Sequence, residues 1–329
     1  MEKRRPKQAD PIGKNVCLDE AVVEKLPEGC TVLSVTPSGQ SLWVGTVKIE
    51  VRLLDGSIAS FFKKRLILAQ GASGDTGERM MNGTFEAEQA LYNFLPEQSP
   101  RPVGWGTYKN DPDTHFYMCD FVEMYDDIPS ANDWAATVAR LHLNSMDKSP
   151  IGQFGFHVTT HLANVPVNNT WNPSWQTFWA QQMVSLFDQD DLLHGPDDEV
   201  TRLKEAFLTL VIPRFLGPLE SEGRAIKPCL IHSDLWPGNI KPSVATDELI
   251  MFDSCAYWGH NEAAIREYFQ HVPMSEPTAD FDGRNHVYAM KYYALLSIMY
   301  SKDTRFRAIF VEELRSLVGK AGVGEEANL

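Results

Sequence analysis

The chain has 329 residues, 43% hydrophobic and 22% charged, with a formal net charge of −14; this is an ordinary globular composition, sufficient for one large domain or two modest ones. Such acidity excludes the clustered Lys and Arg that a nucleic-acid binder sets against phosphates, and is most simply read as a solubility feature. The five cysteines form no C-x-x-C pair, residues 1–14 lack the apolar stretch of a signal peptide, and no apolar run could span a bilayer, so a cytoplasmic protein without membrane or nucleic-acid partners is expected.

In chain order, residues 30–35 predict a short strand and residues 36–41 a turn of small residues. Residues 42–54 alternate with β-branched types, and Asp55-Gly56 is a hairpin signal that returns the chain through a strand at 57–68 carrying Phe61-Phe62-Lys63-Lys64. The Gly-rich stretch 71–82 predicts a flexible loop. A helix is predicted over 84–95, capped by Thr84 and ended by Pro96. Strands at 100–108 and 115–121 form a second hairpin, and the polar residues 120–130 a hinge. Beyond it the apolar spacing turns helical, over 131–143, 175–187, 200–215, 281–300 and 304–318, with an irregular loop at 152–173. His142 falls on an apolar helix face and reads as a core histidine.

The chemistry concentrates in Ile231-His232-Ser233-Asp234-Leu235-Trp236-Pro237-Gly238-Asn239 and, after a further strand, Phe252-Asp253. Phosphoryl transfer needs a carboxylate to take the proton of the attacking hydroxyl and oxygen ligands for Mg²⁺ on the phosphates. Asp234 at the head of this frame is the candidate base, and Asn239 and Asp253 are the candidate metal ligands. Each alone would be an ordinary turn residue; together their spacing points to a kinase using ATP and Mg²⁺. His232 is expected to hold the loop by a backbone hydrogen bond.

A nucleotide also needs a cation on its phosphates, normally a strand lysine paired with a helix glutamate. Lys63 and Lys64 point to opposite faces of their strand, so one of them qualifies, with Glu86 or Glu88 as partner. The turn ending at Ser41 would cover the phosphates with backbone N–H groups, although it lacks G-x-G-x-x-G. Met118, Cys119 and Asp120, where the last strand runs into the hinge, complete the nucleotide-contact candidates. A metal hydrolase built on His232, Asp234, Asp253, His260 and Glu262 is disfavoured by the absence of H-E-x-x-H.

The stretch 232–239 resembles the H-G-D-L-W-x-G-N segment of the fructosamine kinase (ketosamine 3-kinase) family, a branch of the aminoglycoside-phosphotransferase-like kinases. Phe252-Asp253 with Tyr257-Trp258-Gly259-His260-Asn261-Glu262, Gly152-Gln153-Phe154-Gly155-Phe156-His157 and Phe85-Glu86-Ala87-Glu88 are similar to further segments of that family. The resemblance implies an α+β, bilobal protein-kinase-like fold. Residues 1–28 would be a partly disordered extension, 29–121 a β-rich nucleotide-binding lobe, and 122–329 a mainly helical catalytic and acceptor-binding lobe. It singles out Lys64 and Glu88 as the ion pair, and places Trp236, Phe156, His157, His260 and Glu262 on the acceptor side.

The implied activity is phosphorylation of the sugar 3-hydroxyl of ketosamines, ribulosamine foremost, as small molecules or on glycated proteins, by a monomer or weak dimer. Two departures stand out. Ser254-Cys255 replaces the family's Pro-Ala, and Ala264 stands where a second Glu is usual. The latter keeps open a nucleotide-binding pseudokinase with an impaired acceptor site, beside a kinase for another hydroxylated amine.

Overall fold

The computed structural model describes residues 18–38, 44–66, 74–262 and 266–326. The chain divides into two compact units, the first comprising Met1–Leu141, Val158–His161 and His232–Ala256, the second His142–His157, Leu162–Ile231 and Tyr257–Leu329.

In the first unit a short helix α1 (Glu20–Val23) precedes strands β1 (Thr31–Pro37), β2 (Val44–Arg52) and β3 (Ile58–Leu66), helix α2 (Gly74–Phe94), strands β4 (Pro102–Thr107) and β5 (His115–Asp120), and the part of helix α3 (Ala131–Ser145) up to Leu141. The five strands form one antiparallel sheet in the order β1-β2-β3-β5-β4. Asp55-Gly56 turns the β2–β3 hairpin: Gly56 has φ 84°, its N–H donates to Leu53 O, and the Leu53 N–H donates to Ser57 O. A left-handed φ is free of steric cost only at glycine.

Alternation gives each face of this sheet its own core. Val35, Ile49, Val51, Phe61, Phe116 and Met118 pack with Val22 and Leu26 from the α1 region, while Leu66, Tyr117 and Cys119 pack with Met80 and Met81 of α2. Ile49, Val51, Phe116 and Met118 are fully buried, each removal from water being worth about 1.5–3 kcal/mol. A short antiparallel pair, Ile240–Pro242 with Leu249–Met251, carries the segment following the His232–Asn239 loop.

Helix α2 begins at Gly74, ten residues ahead of the predicted start, so most of the expected loop at 71–82 is helical; residues 71–73 lie outside the described residues. Gly77, within that stretch, and Gly83, just beyond it, serve close packing instead. A Cβ at Gly77 would collide with the His115 ring, and one at Gly83 with the Thr159 carbonyl oxygen.

The second unit is built on helices α4 (Trp175–His194), α5 (Asp198–Ala206), α6 (Ile212–Leu216), α7 (Phe281–Met299) and α8 (Thr304–Glu326). Ser174 caps α4 by accepting the Thr177 N–H, and Glu220 accepts the N–H groups of Trp175 and Gln176, satisfying the first-turn donors. The expected continuous helix at 200–215 is interrupted by a π-helical turn at Phe207–Val211, just before Pro213, which cannot donate to the helix ladder. The core is aromatic: Trp175, Phe178 and Trp179 of α4 pack with Tyr257 and Tyr288, and the Trp175 indole donates to Tyr288 OH at 3.0 Å. Among the described residues no helix is long and apolar enough to cross a membrane, and Cys30, Cys119, Cys229 and Cys255 take part in no disulfide.

Candidate active site

Two loops of the first unit meet through their backbones. The Cys255 N–H donates to His232 O and the Phe252 N–H to Asn239 O. The ring of His232 completes the tie: Nε2 donates to Phe252 O at 3.1 Å, and Nδ1 accepts the Asp234 N–H at 3.3 Å. Burial pushes its pKa down to about 4, so it is neutral at ordinary pH and spans the two loops as donor and acceptor. Ser233 and Asp253 both adopt left-handed backbone conformations, φ 64° and 58°, which non-glycine residues take up only at a cost that the surroundings must meet.

Within this frame the Asn239 Nδ2 donates to the Asp234 carbonyl at 2.8 Å and to its Oδ2 at 3.1 Å. That leaves the amide oxygen of Asn239, not its nitrogen, for a cation. Asp253 receives the ammonium of Lys64 from β3, Nζ to Oδ1 2.6 Å. Burial opposes the charge on both, but each is the other's counter-ion: the Lys64 pKa is raised, with Glu88 and Asp234 adding to the effect of Asp253, and the Asp253 pKa is lowered. Glu88 of α2 is 2% exposed and accepts the Ser254 N–H at 2.6 Å. Its pKa is pushed up to about 7, by burial above all.

Lys63 goes the other way. Its Nζ donates to Tyr108 OH at 2.6 Å beneath the opposite sheet face, and burial lowers its pKa to about 8. Met118 packs on that same face, Cys119 lies in the cluster under α2, and Asp120 forms a forked pair with Arg101. Ser41 lies outside the described residues. Trp236 is 58% exposed, with its indole folded against Gly238 so closely that a Cβ there would collide with the ring.

The remaining candidates sit in the second unit. Phe156 is buried and His157 exposed, their rings 4.5 Å apart. His260 is buried between Tyr288 OH at 2.8 Å and Ser275 Oγ at 2.9 Å, and burial lowers its pKa to about 3. Glu262 is wholly buried in a forked pair with Arg284, at 2.5 Å and 2.8 Å, and also accepts the Ser275 N–H. The structure thus makes His260 and Glu262 parts of an internal scaffold around Ser275. Ala264 lies outside the described residues.

Sequence reasoning missed Ser254, Ser275 and Arg284. Only Arg284 gave a signal: an arginine among the apolar positions Val287, Tyr288 and Met290 needs a buried carboxylate as partner.

Among the described residues no cluster of three or more His, Cys, Asp or Glu side chains forms a metal cage. The hard oxygens of Asp253 and Asn239 nevertheless suit Mg²⁺, which takes one or two protein ligands and completes its octahedron with water and phosphate.

These features lie on a fold with known counterparts. A candidate fructosamine-3-kinase from Haemophilus somnus superposes with TM-score 0.66 at 15% identity, over 91% of this chain and 96% of its own. The aminoglycoside phosphotransferase APH(4)-Ia, in ternary complex with AMP-PNP and hygromycin B, gives 0.56 at 12% identity, over 93% and 99%. The fold is therefore α+β and kinase-like. The fructosamine kinase family profile matches residues 74–299, and the chain belongs to that family. A chloroplastic protein-ribulosamine 3-kinase of Oryza sativa subsp. japonica is 25% identical over 248 residues. That match takes in 71% of this chain and 66% of the relative, so the chain spans a little under two thirds of its length.

Proposed function

We propose that the protein is an ATP- and Mg²⁺-dependent kinase that phosphorylates the sugar 3-hydroxyl of ketosamines, with ribulosamines as the favoured class, on small amines or glycated proteins. The observation that carries this reading is the convergence of Asp234, Asn239, Asp253 and Lys64 in one unit of a fructosamine kinase family chain. The rice relative named for ribulosamine supports the acceptor class.

Asp234 accepts the proton of the 3-hydroxyl as its oxygen bonds to the γ-phosphorus and the bond from that phosphorus to the β,γ-bridging oxygen breaks. Asn239 fixes the Asp234 carboxylate through Nδ2 and turns its amide oxygen to the metal, while Asp253 supplies the charged ligand. The metal, when bound, neutralises the charge of the phosphates. Lys64, released from Asp253, moves to the phosphates as their second cation. His232 stays neutral and keeps the two loops together. Trp236, on the same loop as Asp234, contributes to acceptor contact.

The test is an acceptor screen of ribulosamine-, erythrulosamine- and fructosamine-lysine with ATP and Mg²⁺, with phosphate located on the sugar by mass spectrometry. Phosphate at C3 of a ketosamine is expected. ATP binding with no phosphorylated ketosamine would remove the proposal and favour a pseudokinase.

A further inference from the structure

Helix α2 reaches the metal-site turn by an unexpected route. The sequence suggests that Glu88 serves Lys64, yet the hydrogen bond from Lys64 runs to Asp253, and the Glu88 Oε1 takes the main-chain N–H of Ser254 at 2.6 Å. Ser254 directly follows Asp253, whose φ of 58° needs outside support. Its own hydroxyl is buried without a partner, so the side chain is not what the position uses. Proline at 254 would have no N–H to give.

We infer that Glu88 and the Ser254 main chain form a positioning pair: the buried carboxylate holds the left-handed turn that aims the Asp253 carboxylate at the metal. Glu88 acts on Asp253 through backbone, and its task is hydrogen-bond acceptance rather than charge. The inference rests on Asp253 being the metal ligand.

The test is calorimetric titration of ATP into the full chain, with Mg²⁺ and with EDTA, for Glu88→Gln, Glu88→Leu and Asp253→Asn, each checked for folding by thermal melting. The readout is the gain in ATP affinity that Mg²⁺ confers. Glu88→Gln, whose amide oxygen still accepts, should keep that gain within threefold of the unaltered protein; Glu88→Leu should lose tenfold or more of it. The inference is overturned if Gln loses as much as Leu, which would make charge toward Lys64 the role, or if Leu keeps the gain. Should Leu not fold, the Gln variant decides alone. A normal gain in Asp253→Asn would instead overturn the metal-ligand reading, and the inference with it; loss there with a normal Leu variant overturns the inference alone.

Discussion

The Lys64 ammonium lies 2.6 Å from the Asp253 carboxylate, so the lysine proposed to meet the phosphates and the carboxylate proposed to hold the metal are each other's counter-ions. On the proposed reading MgATP offers each of them a partner of greater charge. Lys64→Met is therefore expected to weaken MgATP binding at least tenfold. Lys63→Met, which loses contacts with Tyr108 on the far face, should change it less than threefold, both read by titration calorimetry.

Replacing the base should split chemistry from binding. Asp234→Asn keeps the size of the side chain and an oxygen acceptor for the Asn239 amide, but it cannot take a proton. Turnover should fall by about 10²–10⁴-fold, the usual worth of a general base, while ATP affinity stays within threefold. Near-normal turnover would remove Asp234 from the role.

The forked pair of Glu262 and Arg284, both wholly buried, is expected to carry stability. Removing one partner leaves the other charge without compensation in the interior, a loss of about 3–5 kcal/mol. Glu262→Ala and Arg284→Met should both lower the denaturation midpoint markedly, and a double substitution should cost less than the sum of the two.

Acid should loosen the fold well before carboxylates titrate. His142 and His260 are held neutral with pKa values near 3, and His161 and His232 near 4, burial being the leading cause in each. The unfolded chain, with histidines near 6.5, binds more protons between that value and the folded ones, so stability is complete above pH 6.5 and declines as pH falls. Each group contributes up to about 1.4 kcal/mol per pH unit. Glu88, raised to about 7, pulls the other way between its ordinary value of 4.5 and 7, one group against four. Melting temperature should drop from pH 7 to pH 5, less steeply in His260→Asn; a flat profile would contradict the burial of these rings.

How much of this was legible in the sequence follows the distance over which each interaction acts. The alternation around Asp55-Gly56 and the spacing from His232 to Asp253 are local, and the sheet and the catalytic loops appear at those places. Helix α2 was cut short because Gly77 and Gly83 look like loop formers until His115 and Thr159 are seen pressed against them. Likewise Glu88 and Ser254 are 166 residues apart, and Glu262 meets Arg284 across a segment with no pattern of its own. Such contacts exist only once the chain is folded.

If Lys64 meets the nucleotide as proposed, the side-by-side lysines of β3 make the reading frame of one hairpin a determinant of its binding. Pairing places Lys64 opposite Thr46 and Tyr117, and Lys63 opposite Val47 and Met118. A slip by a single residue exchanges the faces of a strand, and would send Lys64 into the apolar layer beside Tyr108 while presenting its neighbour to Asp253. The short turn through Leu54, Asp55 and Gly56, closed by the Leu53 N–H on Ser57 O, sets that frame. Inserting one residue there, at an exposed tip that touches nothing in the candidate site, should damage nucleotide binding more than most substitutions made within sight of the phosphates.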